Sequence, residues 1–183
     1  MRDEAAANRI VDQIHQRGGE ACAIGANIGR ESDIIHLFQR AEEELGPIRA
    51  LVNNAGITGG IARVDEINAG KLDQLMAINV IGSMLCAREA VKRMSTRYGK
   101  SGGAMVNITS LAARTGGSGE WVHYAATKGA MSSFTMGLAR EVAAENIRVN
   151  AVSPGLIETD IHGAARGSRT GCGGWLRVSQ RSE

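Results

Sequence analysis

The sequence predicts an α/β fold built on a parallel sheet. Short apolar runs alternate along the chain with amphipathic stretches of helical length, the pattern of repeated βαβ units. Three of those runs end in polar or glycine-rich segments: Asn53 to Gly56, Thr109-Ser110, and Ser153 to Gly155. In an open parallel sheet such segments gather beyond the carboxyl ends of the strands, where ligands bind.

The first helix is expected from about Asp3 to Arg17, where Ile10, Val11 and Ile14 follow helical spacing and Gly18-Gly19 supplies the stop. The short apolar run Ala21-Cys22-Ala23-Ile24 reads as a buried strand. A second helix covers Glu31 to Leu45, with Ile34, Ile35, Leu37 and Phe38 inward and Gly46-Pro47 as its end. Ala50-Leu51-Val52 is a strand that runs straight into Asn53-Asn54-Ala55-Gly56. A long helix from about Ala69 to Tyr98 is stopped by Gly99, and its inner stripe comprises Leu72, Leu75, Met76, Val80, Met84 and Leu85. The strand Ala104 to Ile108 leads to Thr109-Ser110, and a glycine-rich loop, Thr115 to Gly119, leads into a helix from about Val122 to Glu145. The last strand, Ile147 to Val152, is closed by Pro154-Gly155. No internal repeat is present.

Composition narrows the function. The 183 residues suffice for one domain with a single core. A net charge of +2 is too small to suggest a nucleic-acid or membrane-surface protein. No apolar run approaches the roughly 18 residues that span a bilayer. The charged start Met1-Arg2-Asp3-Glu4 has no apolar stretch behind it, so it is not a secretory signal. Cys22, Cys86 and Cys172 are odd in number and widely spaced, which excludes a disulfide framework and fits a reducing cytoplasm. The basic excess sits at the end: Gly163 to Glu183 holds four arginines and one glutamate, a local charge of +3, leaving residues 1–162 at −1. That glycine-rich tail has no hydrophobic period and is expected to be flexible.

Tyr124 and Lys128 are four apart on a predicted helix and so share a face. A tyrosine acting as a base near neutral pH needs its pKa lowered by about 3 units, worth roughly 4 kcal/mol. An ammonium some 4–5 Å away, at an effective dielectric near 20, supplies roughly 3–4 kcal/mol. Ser110 closes a strand fourteen positions earlier, where its hydroxyl can meet the phenol over the strand ends. Asn79 lies mid-helix, an unfavourable place for asparagine, so it either faces solvent or serves a polar task. His15, His36, His123 and His162 have no companions at metal-ligand spacing and read as surface or packing residues, so no metal site is expected.

Asn53-Asn54-Ala55-Gly56, Asn79-Val80-Ile81-Gly82, Ser110, Tyr124-Ala125-Ala126-Thr127-Lys128 and Pro154-Gly155 occur in this order. Together they resemble the short-chain dehydrogenase/reductase family, in its branch of single-domain reductases with N-N-A-G, over about residues 2 to 162. The resemblance implies a Rossmann-like three-layer parallel sheet and hydride transfer between NADP or NAD and a small carbonyl or alcohol. It makes Tyr124 the general acid/base, with Lys128 lowering its pKa and hydrogen-bonding the nicotinamide ribose. Ser110 would orient the reacting carbonyl, and Asn79 would hold a water that relays protons from Lys128. Asn53, Ala55 and Gly56 would line the adenosine side of the cleft. Pro154, Gly155, Ile157 and Thr159 match the segment against the nicotinamide carboxamide, and Glu120 and Trp121 border the pocket mouth. Homo-oligomers are expected through the helices near 70–98 and 122–145.

Three departures from the family stand out. Met1 falls where the family has already passed its first two strands and the glycine-rich turn that holds the pyrophosphate. The sheet is therefore expected to be incomplete, lacking those strands and the last one, with Ala21–Ile24 left without a neighbour. Ala50–Val52 then becomes an apolar edge. Thr115 to Gly119 is no substitute turn, since Glu120 stands where the next glycine is needed. Asn27 stands where the family usually has the aspartate that accepts from the adenine amine, and an amide oxygen can still accept. Beyond Ile161-His162 the resemblance stops, which divides the chain into a partial domain, 1–162, and the tail, 163–183. Two other readings remain: an inactive family remnant that keeps only an oligomerisation surface, and the extended sugar-nucleotide epimerase branch. N-N-A-G and the absence of a larger C-terminal domain favour the short branch over the second.

Overall fold

The computed structural model describes residues 4–119, 121–155 and 157. Helix α1 (Glu4–Gln16) and helix α2 (Glu31–Leu45) precede strand β1 (Ala50–Asn53). Helix α3 (Ala69–Met76) passes through a π-helical segment, Ala77–Gly82, into α4 (Ser83–Met94). Strand β2 (Gly103–Ile108), the short α5 (Ala112–Thr115), the long α6 (Val122–Glu141) and β3 (Ile147–Val152) complete the order. The three strands form one parallel sheet in the order β1-β2-β3. This is the parallel α/β arrangement that the strand–helix alternation predicted and the Rossmann-like sheet that the family resemblance implied.

Register explains the core. Leu51, Met105 and Val149 lie side by side across the sheet, as do Asn53, Asn107 and Ala151. Met105 and Val149 join a buried cluster with Ile34 and Phe38 of α2, Cys86, Ala87, Ala90 and Met94 of α4, and Leu138 of α6. On the opposite face of the sheet Val52 is 61% exposed and Val152 49%.

Helix α2 has the bounds its pattern predicts. Ile34 and Phe38 are buried one turn apart, and Gly46, at φ +77, closes the helix by donating its N–H to the Glu42 carbonyl. An ionic cluster joins α2 to α4. Buried Glu89 receives Lys92 at 2.9 Å and Arg93 at 2.7 Å, while Arg93 also reaches Glu42 at 2.8 Å. The Arg93 guanidinium lies 5.3 Å from the Phe38 ring centroid, within cation–π range.

Several expectations are corrected. Ala21–Ile24 belongs to no strand among the described residues. An apolar run becomes a strand only when a neighbour takes up its backbone groups, and β1 and β2 lie elsewhere. The long helix ends at Met94, not Tyr98. Ser95 interrupts it in an extended conformation and caps a separate 3-10 turn, Thr96–Tyr98, that Gly99 closes at φ +71. The last long helix likewise ends at Glu141, with a 3-10 turn at Ala143–Glu145.

The inner stripe also differs. Leu75 and Val80 are buried, but Leu72 (37% exposed), Met76 (36%) and Met84 (36%) face outward. Small residues, Gly82, Ser83, Ala87 and Ala90, face inward in their place. The reason is close approach: a Cβ built on Gly82 would stand 2.2 Å from the carbonyl oxygen of Ile28. Gly82→Ala should therefore lower stability by about 1–3 kcal/mol, the cost of overpacking, read as a lower urea midpoint with an unchanged slope. An unaltered midpoint would mean that the Ile28 segment yields freely.

Candidate active site

Helix α6 carries its chemistry in two adjacent rows. His123 and Thr127 form one row at i, i+4 spacing, and Tyr124 and Lys128 form the next. Lys128 reaches the last residue of β2, so the second row looks over the carboxyl end of that strand, while the first turns to Gly60 and Asn79.

Lys128 is buried, and its Nζ donates to the carbonyl oxygen of Ile108, the last residue of β2, at 2.7 Å. Burial lowers the pKa of this ammonium, because a low-dielectric surrounding disfavours the charged form. Its Nζ lies 5.7 Å from the centroid of the Tyr124 ring, and Trp121 meets that ring edge-on with centroids 6.0 Å apart. Burial pushes the Tyr124 phenol above its usual value, and a hydrogen bond with Ser110 opposes the rise. The expected lowering of Tyr124 by Lys128 is therefore not what this arrangement gives, because the ammonium is directed at Ile108 and desolvation of the phenol dominates. Ser110 Oγ also accepts from the Ala112 amide at 3.1 Å, which fixes it at the start of α5.

Asn79 is almost fully buried, which decides between the two uses its mid-helix position allowed. Its Nδ2 donates to the Ile57 carbonyl at 2.8 Å and to Thr127 Oγ1 at 3.1 Å, while its Oδ1 accepts from the Ile57 amide at 2.9 Å. The π-helical segment lets it and its neighbour Val80 both point inward. Such a segment is a frequent device at functional positions. Gly56 lies over this pair. A Cβ there would be 3.3 Å from Asn79 Oδ1 and 3.7 Å from Lys128 Nζ, so glycine keeps open the space beside both groups.

The remaining predicted residues divide. Ala55 and Gly56 are exposed beyond the end of β1, beside the Asn79–Lys128 pair. The Asn53 side chain turns inward, donating to the Ser83 carbonyl at 3.1 Å and to Asn107 Oδ1 at 2.9 Å, so it ties β1 to α4 and β2. Asn27 Oδ1 accepts from the Gly29 amide at 3.0 Å and shapes the entry to α2. The Pro154 carbonyl accepts from Leu111 at 3.0 Å, which fastens the segment after β3 to the Ser110 loop, while Gly155 and Ile157 are exposed. Thr159, Glu120 and the tail from Gly163 lie outside the described residues. The glycine-rich stretch at 116–119 follows α5 rather than a strand, so it is not a strand-to-helix phosphate turn.

Sequence reasoning missed three groups. Thr127 bridges Asn79 to α6, donating to the Tyr124 carbonyl at 2.8 Å. Asn107, buried near the end of β2, links Asn53 to Thr135 Oγ1 at 2.9 Å. His123 is buried with Nε2 3.0 Å from the Gly60 carbonyl oxygen. A signal existed for the first and third, since both stand at i, i+4 spacing one residue before the Tyr124–Lys128 pair.

A family model described as short chain dehydrogenase matches residues 1–169. The chain belongs to that family. It is 45% identical over 157 residues to the uncharacterized oxidoreductase YgfF of Escherichia coli strain K12, covering 86% of this chain and 64% of that protein. It is 40% identical over 144 residues to the 3-oxoacyl-[acyl-carrier-protein] reductase of Rattus norvegicus, covering 79% of this chain and 58% of that one. The chain thus spans less than two thirds of the length of these relatives. Among solved structures, a short chain dehydrogenase from Burkholderia cenocepacia J2315 in complex with NADP superposes with a TM-score of 0.81 at 28% identity, over 90% of this chain and 67% of that one. A dehydrogenase/reductase from Sinorhizobium meliloti 1021 does so with a TM-score of 0.79 at 32% identity, over 86% of this chain and 61% of that one.

The buried ammonium has a pH signature. With the folded value of Lys128 depressed below 10.5, the unfolded chain binds more protons across the interval between them. Stability from this site then rises with pH there and is lowest below it. Lys128→Met removes the group, so urea unfolding should show wild type gaining on the variant as the pH rises toward 10.5. A gap independent of pH would place the ammonium in contact with water.

Proposed function

We propose that the protein is an oxidoreductase that moves a hydride between a nicotinamide nucleotide and a small carbonyl or alcohol, with Tyr124 as acid/base. The observation that carries this reading is the convergence of Tyr124, Ser110 and Lys128 at the carboxyl end of β2. The nucleotide supplies the hydride in reduction and accepts it in oxidation. On the protein's side, the Tyr124 hydroxyl gives its proton to the carbonyl oxygen as the carbonyl carbon gains the hydride, and takes it back in the reverse direction. Ser110 Oγ hydrogen-bonds the same oxygen as negative charge develops there.

The residues present fit the nicotinamide-ribose half of such a nucleotide. The open space at Gly56, beside Lys128 Nζ and Asn79 Oδ1, is a cradle that a side chain would narrow. In this reading Lys128 and Tyr124 hold the ribose, and Asn79 positions a proton-relaying water. The backbone of Asn53, Ala55 and Gly56 lines the adenosine side, Asn27 meets the adenine, and Pro154, Gly155 and Ile157 face the carboxamide. NADP among the solved relatives' ligands, and NADPH in a blue fluorescent protein 32% identical to this chain, support the phosphorylated form over NAD. No helix among the described residues is long and apolar enough to cross a membrane, and the cysteine usage supports a cytoplasmic setting.

Self-association has its own support. Along α6, Val122, Ala126, Ser133, Met136 and Gly137 are exposed at helical spacing, with Met136 60% exposed. A Cβ on Gly129 or Gly137 would meet nothing within 4 Å. Ile81 and Met84 are exposed on the neighbouring helical segment. A second copy of the chain covering these faces would bury them. Met136→Glu should shift the mass measured by light scattering from oligomer to monomer, and a wild-type monomer would remove this part of the reading.

Two measurements test the activity. Excess NADPH should raise the thermal midpoint of wild type by mass action, more than NADH does. Tyr124→Phe should keep most of that shift, with Lys128 still on the ribose, while NADPH-dependent carbonyl reduction falls by about 10²–10⁴, the weight of general acid–base catalysis. If neither nucleotide shifts the melt and no reduction occurs, the chain is an inactive remnant of the family.

A further inference from the structure

We infer that His123 is a positioning residue that straps the segment Ile57–Gly60 onto the first turn of α6 and so fixes the wall of the cleft beside Tyr124. The consequence for the cleft rests on Tyr124 and Lys128 being the reacting pair, whereas the strap itself does not. The contact is made at an atom: His123 Nε2 stands 3.0 Å from the Gly60 carbonyl oxygen. A carbonyl oxygen can only accept, so the ring must carry a proton on Nε2. The ring also packs closely against a backbone position without side chain. At Gly59, with φ +78, a Cβ would stand 3.2 Å from His123 Cδ2 and 3.3 Å from Nε2.

Two further features set this apart from packing. His123 Nδ1 is buried with no hydrogen-bond partner. A residue that only filled space there would be better replaced by an apolar ring, since an unmet polar atom in the interior is a cost. The segment is also gripped a second time from the same row of the same helix. Thr127, four residues on, bonds Asn79, which in turn holds both backbone groups of Ile57. The 123/127 row thus fastens the segment, and the 124/128 row faces the cleft that the segment walls. Loosening one grip shifts Gly56 relative to Lys128 Nζ.

The test uses the whole chain. Two-bond ¹⁵N–¹H spectra of the wild-type imidazoles should show His123 as the Nε2-protonated tautomer. An Nδ1-protonated ring overturns the proposal. His123→Phe keeps the ring shape and loses the donor, whereas His123→Gln keeps an amide N–H in reach of Gly60. Hydrogen exchange at Ile57, Gly59 and Gly60 should quicken about three- to tenfold in the phenylalanine variant, the factor one net hydrogen bond supplies, and should stay near wild type in the glutamine variant. Equal exchange in the phenylalanine variant and wild type, or glutamine behaving like phenylalanine, overturns it. If phenylalanine unfolds the whole chain, the glutamine variant and the tautomer decide. NADPH titration of wild type, followed by tryptophan emission, separates the two ideas. Absent binding with the exchange pattern intact sinks the reductase reading and leaves the strap standing.

Discussion

A lysine ammonium in the interior must find an acceptor, and in this chain it finds the carbonyl at the end of a strand. The Lys128–Ile108 bond fixes the rotation of α6 against β2, because a short shift along either element would leave a buried cation with no acceptor. Everything in the cleft follows from that rotation. With Lys128 over the end of β2, Tyr124, one turn earlier on the helix, is brought to Ser110, two residues beyond the strand. Thr127 is brought to Asn79, and Asn79 to the backbone of Ile57. A group costly to bury thus orders a site whose chemistry depends on its being buried.

Polar side chains hold the sheet as firmly as apolar ones do. Asn53 and Asn107 sit opposite each other in register, and their amides run a chain of hydrogen bonds from the Ser83 carbonyl to Thr135. Buried amides satisfied in this way specify one register, since a slip of one residue would turn both to the other face. The apolar cluster of Ile34, Phe38, Met94 and Met105 supplies burial but no such demand for register. The asparagine at the strand end therefore has a structural task that its neighbours Ala55 and Gly56 do not share.

Legibility in the sequence followed the range of the interaction. Helix α2, with its Ile34–Phe38 face and Gly46 stop, was readable to the residue, because period and terminator are both local. Strands β1, β2 and β3 were readable to within one residue for the same reason. Ala21–Ile24 looks equally strand-like, but pairing is decided by what lies beside it, which no local pattern records. The inner stripe of the long helix misled because a 3.6-residue period assumes an unbroken ladder and large apolar residues inward. Gly82, Ser83 and Ala87 face the interior instead, for closeness rather than hydrophobicity. At the site, Tyr124 and Lys128 were visible as an i, i+4 pair with matched chemistry. His123 and Thr127 share the same spacing, but histidine and threonine on a helix have too many ordinary uses to stand out without the segment they grip.

The π-helical turn at Ala77–Gly82 bears on how this stretch of chain tolerates changes of length. One surplus residue is absorbed there while the helices on either side keep their faces to the core. Deleting a single residue inside it would let the ladder close as a continuous α-helix, with Leu75 behind it and Cys86 and Ala90 ahead still inward. Asn79 would then turn by about 100° per residue removed, away from Ile57 and Thr127. The turn is a place where the gene could lose one codon and keep the fold, while the polar centre of the cleft came apart.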